Sequence, residues 1–143
     1  GSVKVAFQEY AEAHILLALV EKGSYPNPKD LNIHAISYIL GLADSVGEFR
    51  RRALNCLREG DFEEAERCLR VMEEVYGELI SIEKAYVLAP ELRPKCDIAR
   101  RVIESTMGDV MMEARRNSLQ KTVEHLEERI REPILLFSLF ANR

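Results

Sequence analysis

The sequence predicts an all-α protein, built as an antiparallel bundle of long helices. Its 143 residues are 47% hydrophobic and 31% charged, with only seven glycines and five prolines, which is a composition typical of soluble helical proteins. Apolar residues recur every three or four positions, as on one face of a helix, and no stretch alternates apolar and polar residues as a strand does. The length suits one domain with a single core. We therefore expect one helical domain over residues 1–143, in which Gly1 and Ser2 are a cloning remnant.

Turn and cap residues divide this predicted bundle into successive helices. Gly23 suits the C-terminal cap of the first helix, and Asn27 with Pro28 suits the start of the second. Asp61 and Glu64 form a capping-box pattern that opens the third helix. The predicted helices cover residues 3–22, 28–59, 61–85 and 91–128, and Pro133 then separates them from an apolar tail, residues 134–140.

Two pairs of acidic residues interrupt otherwise apolar helix faces. In FQEYAEAHILLALVEKG, Glu9 and Glu12 lie one turn apart on the stripe that continues with leucines. In YILGLADSVGE, Asp44 is followed four residues later by Glu48, so these two also share a face. Because a short loop joins antiparallel neighbours, we expect the two pairs to come level across the helix interface. Burying such carboxylates is costly unless a partner compensates.

Four converging carboxylates would repel one another unless a cation neutralised them. Oxygen ligands favour a hard ion such as Mg²⁺ or Mn²⁺. The alternative is that each acid is held in a salt bridge, for example Glu48 with Arg52 one turn on. A di-iron site is not supported, because no histidine follows a glutamate at the required spacing. A net charge of −4 also argues against indiscriminate nucleic-acid binding.

Other common chemistries find no support in the sequence. Three separated cysteines without a CxxC pair favour neither a disulfide framework nor a zinc site, and they suit a reducing, cytoplasmic setting. No stretch is long and apolar enough to span a membrane. Phosphate-binding glycine loops and nucleophile motifs are absent from the sequence.

Two segments, QEYAEA and YILGLADSVGEFRRRALNCLREGD, are similar to the signature segments of the translin/Trax family. The later segment KAYVLAPELRPKCDIARRVIESTMGDV resembles that family's later helices. The resemblance implies that Glu9, Glu12, Asp44 and Glu48 form the acidic quartet with which Trax-like subunits bind a divalent metal and cleave RNA. It also implies assembly into a closed hollow oligomer, by self-association or with a translin-like partner subunit.

The sequence departs from the family pattern in two places. Eukaryotic Trax has a long insertion between its acidic segments, whereas here the loop is GSYPNPKD, which indicates a compact, archaeal-type relative. The resemblance also implies a helix before the first acidic segment, and we expect that helix to be absent here.

Three consecutive arginines follow the second acidic pair. Arg50, Arg51 and Arg52 are candidates for phosphate contacts, because a polyanion repelled by an acidic site needs positive charge beside it. Arg51 is the best placed by helical spacing. The alternative is that these arginines lie on a solvated face and pair with nearby acids.

From these features we expect a metal-dependent endoribonuclease that acts on single-stranded RNA, and in principle on single-stranded DNA, by water activation at the quartet. The products would carry 5′-phosphate and 3′-hydroxyl ends. The alternative functions are a non-catalytic, translin-like nucleic-acid-binding protein and a helical interaction scaffold. For residues 134–140 we expect burial against a neighbouring subunit, the alternative being packing against their own bundle.

Overall fold

The computed structural model describes residues 1–142, and all the regular secondary structure in that range is helical. The all-α class is therefore confirmed. The helices are α1 (Ser2–Lys22), α2 (Ala35–Glu59), α3 (Phe62–Ser81), α4 (Glu83–Leu88) and α5 (Leu92–Ala141).

The chain separates into two compact units, Gly1–Val110 and Met111–Arg143. The first contains α1 to α4 and the beginning of α5, and it holds the core described below. The second contains the remainder of α5. The sequence favours one domain over the whole length, and that assignment stays a prediction.

The start of α2 differs from the sequence prediction. Asn27 does act as a cap, since its Oδ1 accepts a hydrogen bond from the backbone N–H of Lys29 at 2.9 Å. The turn that it opens ends at Asn32, whose left-handed φ of 52° cannot continue a helix. For that reason α2 begins at Ala35 and not at Pro28.

Two later boundaries also differ. Asp61 caps α3 as predicted, accepting the N–H of Glu64 at 3.1 Å, but α3 ends at Ser81. The non-helical backbone of Ile82 (φ −92°, ψ 72°) then separates α3 from the short helix α4. Pro133 does not end α5. It removes one backbone donor, while the leucine-rich sequence after it favours helix, so residues 134–140 are helical.

The orientation of α1 on α2 is opposite to the prediction. The early part of α2 lies against the early part of α1, since a Cβ on Gly41 would stand 2.7 Å from the Gln8 carbonyl oxygen and 2.9 Å from the Glu12 nitrogen. The late parts also lie together, because Val20 and Glu59 line the same groove. The two helices are therefore parallel, not antiparallel.

The connection between α1 and α2 explains this orientation. Residues 23–34 start at the far end of α1 and return along the bundle to the start of α2. There the Tyr38 hydroxyl donates to the Pro26 carbonyl at 2.8 Å. A segment that runs back in this way joins parallel helices, whereas the prediction assumed a tight hairpin between antiparallel ones.

The next pair of helices, α2 and α3, is antiparallel. A tight turn at Gly60 joins them, and Arg52 near the end of α2 pairs with Glu64 near the start of α3.

The core of the first unit is formed by one face of each helix. Side chains from α1, α2, α3, α4 and the beginning of α5 meet in one cluster. Its largest fully buried members are Phe49, Ile15, Leu40, Met72, Leu79 and Leu92. Within residues 1–142 none of the helices has the length and apolarity that crossing a bilayer would require.

Gly41 allows the close approach of α1 and α2, and replacing it with alanine should be costly. The added Cβ would meet backbone atoms of α1 and would stand 2.8 Å from the Ala11 Cβ, so the helices must separate. We expect Gly41→Ala to lower the free energy of unfolding by about 1–2 kcal/mol, measured by urea denaturation. Gly47→Ala in the same helix is the control, because a Cβ there meets nothing within 4 Å. It should leave stability unchanged or raise it, and an equal loss in both variants would contradict the packing argument.

Candidate functional site

The close contact of α1 and α2 brings three of the four predicted acidic residues together. Glu12 of α1 and Asp44 and Glu48 of α2 are all half-buried at this contact. Glu9 lies one turn before Glu12 and is exposed. Parallel packing therefore brings Glu12 to the Asp44–Glu48 pair, while Glu9 lies at its exposed edge.

The charges of this cluster act on Glu12. Burial raises the pKa of the Glu12 carboxyl above its ordinary value, and the charges of Asp44, Glu48 and Glu9 raise it further. Lys95 lowers it in part. Such mutual repulsion is the property that a bound cation would relieve.

Two residues outside the predicted acidic set hold Asp44. The Lys95 ammonium donates to one carboxylate oxygen and the Gln8 amide donates to the other. Gln8 directly precedes Glu9 in the first acidic segment, and its spacing from Glu12 is a usable signal. Lys95 comes from α5, and no local pattern links it to Asp44. We name the cluster of Glu9, Glu12, Asp44 and Glu48 with Lys95 the acidic cluster.

Glu48 is also paired. Arg51 donates to its Oε2 through Nε at 3.0 Å, and the arginine side chain is 72% exposed. Asp44 and Glu48 are both in ion pairs. Among residues 1–142, no group of three or more His, Cys, Asp or Glu side chains is arranged to hold a metal ion.

The other two arginines are engaged away from the acidic cluster. Arg50 donates to Thr106 at 2.8 Å and pairs with Asp109 at 3.2 Å, which joins α2 to α5. Arg52 pairs with Glu64 of α3 at 3.0 Å. Arg51 is therefore the one member of the predicted arginine triplet that lies beside the acidic residues.

A groove of about 730 Å³ borders the acidic cluster at Glu48 and Arg51. Its apolar side is formed by α1, where Leu16, Leu17 and Val20 line it. Its polar side comes from α2 and the start of α3, with both basic and acidic side chains. An extended ligand lying in this groove would have one end next to Glu48.

Together the fold and the site define an all-α protein with a carboxylate cluster at the contact of two parallel helices. Residues 3–106 match the Translin family. The chain is also 36% identical to an uncharacterised protein of Methanocaldococcus jannaschii. The alignment extends over 112 residues and covers 78% of this chain and 50% of that protein. The chain belongs to the Translin family. It spans about half the length of this curated relative.

Solved structures show the same fold. The crystal structure of AfC3PO aligns with a TM-score of 0.69 at 39% identity, covering 76% of this chain and 57% of that one. A structure of AfC3PO in complex with duplex RNA aligns with a TM-score of 0.68 at 38% identity, covering 76% of this chain and 57% of that one. Apo-NeC3PO aligns with a TM-score of 0.70 at 25% identity, covering 77% and 57% of the two chains. The translin-like fold is thereby confirmed.

Proposed function

We propose that this protein is a metal-dependent endoribonuclease that cleaves single-stranded RNA at the acidic cluster. The observation that carries the proposal is the convergence of Glu12, Asp44 and Glu48, whose charges act on one another. A protein that only bound nucleic acid would have no need of half-buried acids that repel its ligand. Membership of the Translin family and similarity to AfC3PO, solved with duplex RNA, support RNA as the class of ligand.

The residues present fit a divalent metal by their chemistry. Glu9, Glu12, Asp44 and Glu48 offer only carboxylate oxygens, the ligands that Mg²⁺ and Mn²⁺ prefer. The ion pairs with Lys95 and Arg51 would have to open first. When bound, the metal would activate a water and offset negative charge during phosphodiester hydrolysis.

The basic residues of the site would act on the RNA itself. Arg51 is exposed beside Glu48, so its guanidinium is free to exchange the carboxylate for a phosphate, which an arginine can bind through two N–H donors. The groove next to it would hold the strand on one side of the cluster. Arg51 would therefore position the RNA backbone, while the carboxylates would hold a divalent metal next to the reacting phosphate.

Incubation with labelled single-stranded RNA tests the proposal directly. In Mn²⁺ or Mg²⁺ we expect cleavage to fragments with 5′-phosphate ends, and none with EDTA. The same ions should raise the melting temperature, because they bind the folded state. Binding of RNA with neither cleavage nor metal-dependent stabilisation would instead support the non-catalytic, translin-like function.

We propose further that the protein assembles with copies of itself or with a translin-like subunit. Six apolar side chains of residues 134–140 are 57–79% exposed, and apolar surface of this kind is normally covered by a partner. Light scattering of the 143-residue chain should give a mass well above 16.4 kDa. A mass equal to one chain would contradict self-association and leave only assembly with a translin-like subunit.

A further inference from the structure

Lys95 occupies a more enclosed position than the other cation of the acidic cluster. Its side chain is 27% exposed, and that of its partner Asp44 is 28% exposed. The two line a small cavity of about 240 Å³ between α2 and α5, together with apolar side chains such as Val46 and Ile98. The lysine stem therefore packs among apolar groups while its ammonium contacts the carboxylate.

Arg51 differs from Lys95 in this respect. Its side chain is 72% exposed, so it can leave Glu48 for water at little cost. Without a metal, the carboxylates of Glu9, Glu12, Asp44 and Glu48 repel one another. The positive charge of Lys95 lies beside them and reduces that repulsion. Both oxygens of Asp44 are engaged, one by Lys95 and one by Gln8, so Asp44 has to release a donor before it can bind a cation.

We propose that Lys95 is an internal counter-ion that competes with the divalent metal for Asp44. In the metal-free protein its ammonium offsets part of the negative charge of the cluster, and metal binding would displace it from the carboxylate. This inference rests on the proposed function, because it concerns the same metal site. Lys95 would then control the metal affinity. The protein should bind its metal more weakly than the same four carboxylates would without a competing ammonium.

Titration of Mn²⁺ into wild-type and Lys95→Met protein by calorimetry tests the competition. Methionine keeps the apolar stem and removes the charge, so Mn²⁺ should bind about fivefold more tightly, as the loss of a competing partly exposed ion pair implies. At the same time the metal-free variant should melt at a lower temperature than the wild type. A residue with a merely structural role would weaken metal binding when replaced, so the direction of the change separates the two roles.

Two further variants serve as controls. Lys95→Arg keeps the charge and should leave Mn²⁺ affinity at the wild-type level or below it. Arg100→Gln removes one positive charge from the same helix, where Arg100 is exposed and pairs with Glu104 at 3.3 Å. This variant should leave Mn²⁺ affinity unchanged, which accounts for any general effect of net charge.

The possible outcomes separate this proposal from the proposed function. The competition is supported if Lys95→Met binds Mn²⁺ more tightly than the wild type and the two control variants do not. It is also supported if Lys95→Met binds Mn²⁺ and the wild type binds too weakly to measure. Equal or weaker binding by Lys95→Met, with a wild type that binds Mn²⁺, overturns the competition and leaves the metal site standing. Absence of binding in both proteins overturns the two proposals together.

Discussion

Replacing Asp44 with asparagine should abolish the rise in melting temperature that Mn²⁺ produces and lower RNA cleavage by at least about 100-fold. Asp44 is half-buried between Gln8 of α1 and Lys95 of α5, at the centre of the acidic cluster. Asparagine keeps the size of the side chain but loses the charge that a divalent ion requires. The measurements are thermal melting with and without Mn²⁺ and the rate of cleavage of labelled single-stranded RNA.

The same variant should lose only about 1 kcal/mol of stability without metal, since a partly exposed ion pair contributes little. Asp109→Asn is the matched control: Asp109 is also an ion-paired aspartate, with Arg50 at 3.2 Å, but it lies away from the acidic cluster. It should retain both the metal response and the cleavage. An Asp44→Asn protein that stays folded and is still stabilised by Mn²⁺ would rule out the acidic cluster as the metal site.

Glu12→Gln and Glu9→Gln should also reduce cleavage, but combining them with Asp44→Asn should add little. Residues that act as a unit in catalysis are not additive. Glu9 is exposed, so its variant gives the weakest loss if it serves only as an outer ligand of the metal.

Helical periodicity was sufficient to place Glu12, Asp44 and Glu48 at the contact of α1 and α2, because it depends only on local geometry. Acids on a buried helix face meet the neighbouring helix whichever direction that helix takes, whereas Glu9, one turn before Glu12, is exposed. The direction itself was not predictable in this way, since the path of residues 23–34 depends on tertiary contacts such as the Tyr38–Pro26 hydrogen bond. The start of α2 was misplaced for a related reason: Asn27 caps a single turn as well as it would cap a helix.

Long-range partners lie beyond the reach of a sequence pattern. Lys95 is separated from Asp44 by 51 positions, and no spacing rule joins residues on α2 and α5. The arginine triplet shows the same limit, because Arg50, Arg51 and Arg52 point to different neighbours although they are consecutive. A helix turns by about 100° per residue, so three consecutive side chains cannot share one site.

The second large effect should come from Glu64, which joins three helices of the first unit. Its carboxylate accepts hydrogen bonds from Arg67 at 3.0 Å and from Arg52 at 3.0 Å. Arg67 in turn donates to the carbonyl of Leu19 at 2.9 Å, at the C-terminal end of α1. This network ties α1, α2 and α3 together, and the glutamate side chain is only 20% exposed.

Glu64→Ala should therefore lower the free energy of unfolding by about 2–3 kcal/mol at neutral pH, because two arginines lose their common partner in a partly buried place. Urea denaturation measures the loss. Glu66→Ala in the same helix is the control, since Glu66 is 54% exposed and pairs with Arg70 at 3.8 Å. It should cost less than about 0.5 kcal/mol.

The pH dependence of this difference gives a second test. Burial alone would raise the pKa of Glu64, but the hydrogen bonds from Arg67 and Arg52 outweigh it and hold the pKa below its ordinary value of 4.5. A carboxyl whose pKa is lower in the folded state stabilises the protein above the unfolded pKa, and this stabilisation is lost as the pH falls through the folded pKa. The wild type should then approach the stability of Glu64→Ala as the pH is taken well below 4.5. A difference in the free energy of unfolding that stays constant as the pH falls well below 4.5 would show that Glu64 acts by packing and not by its charge.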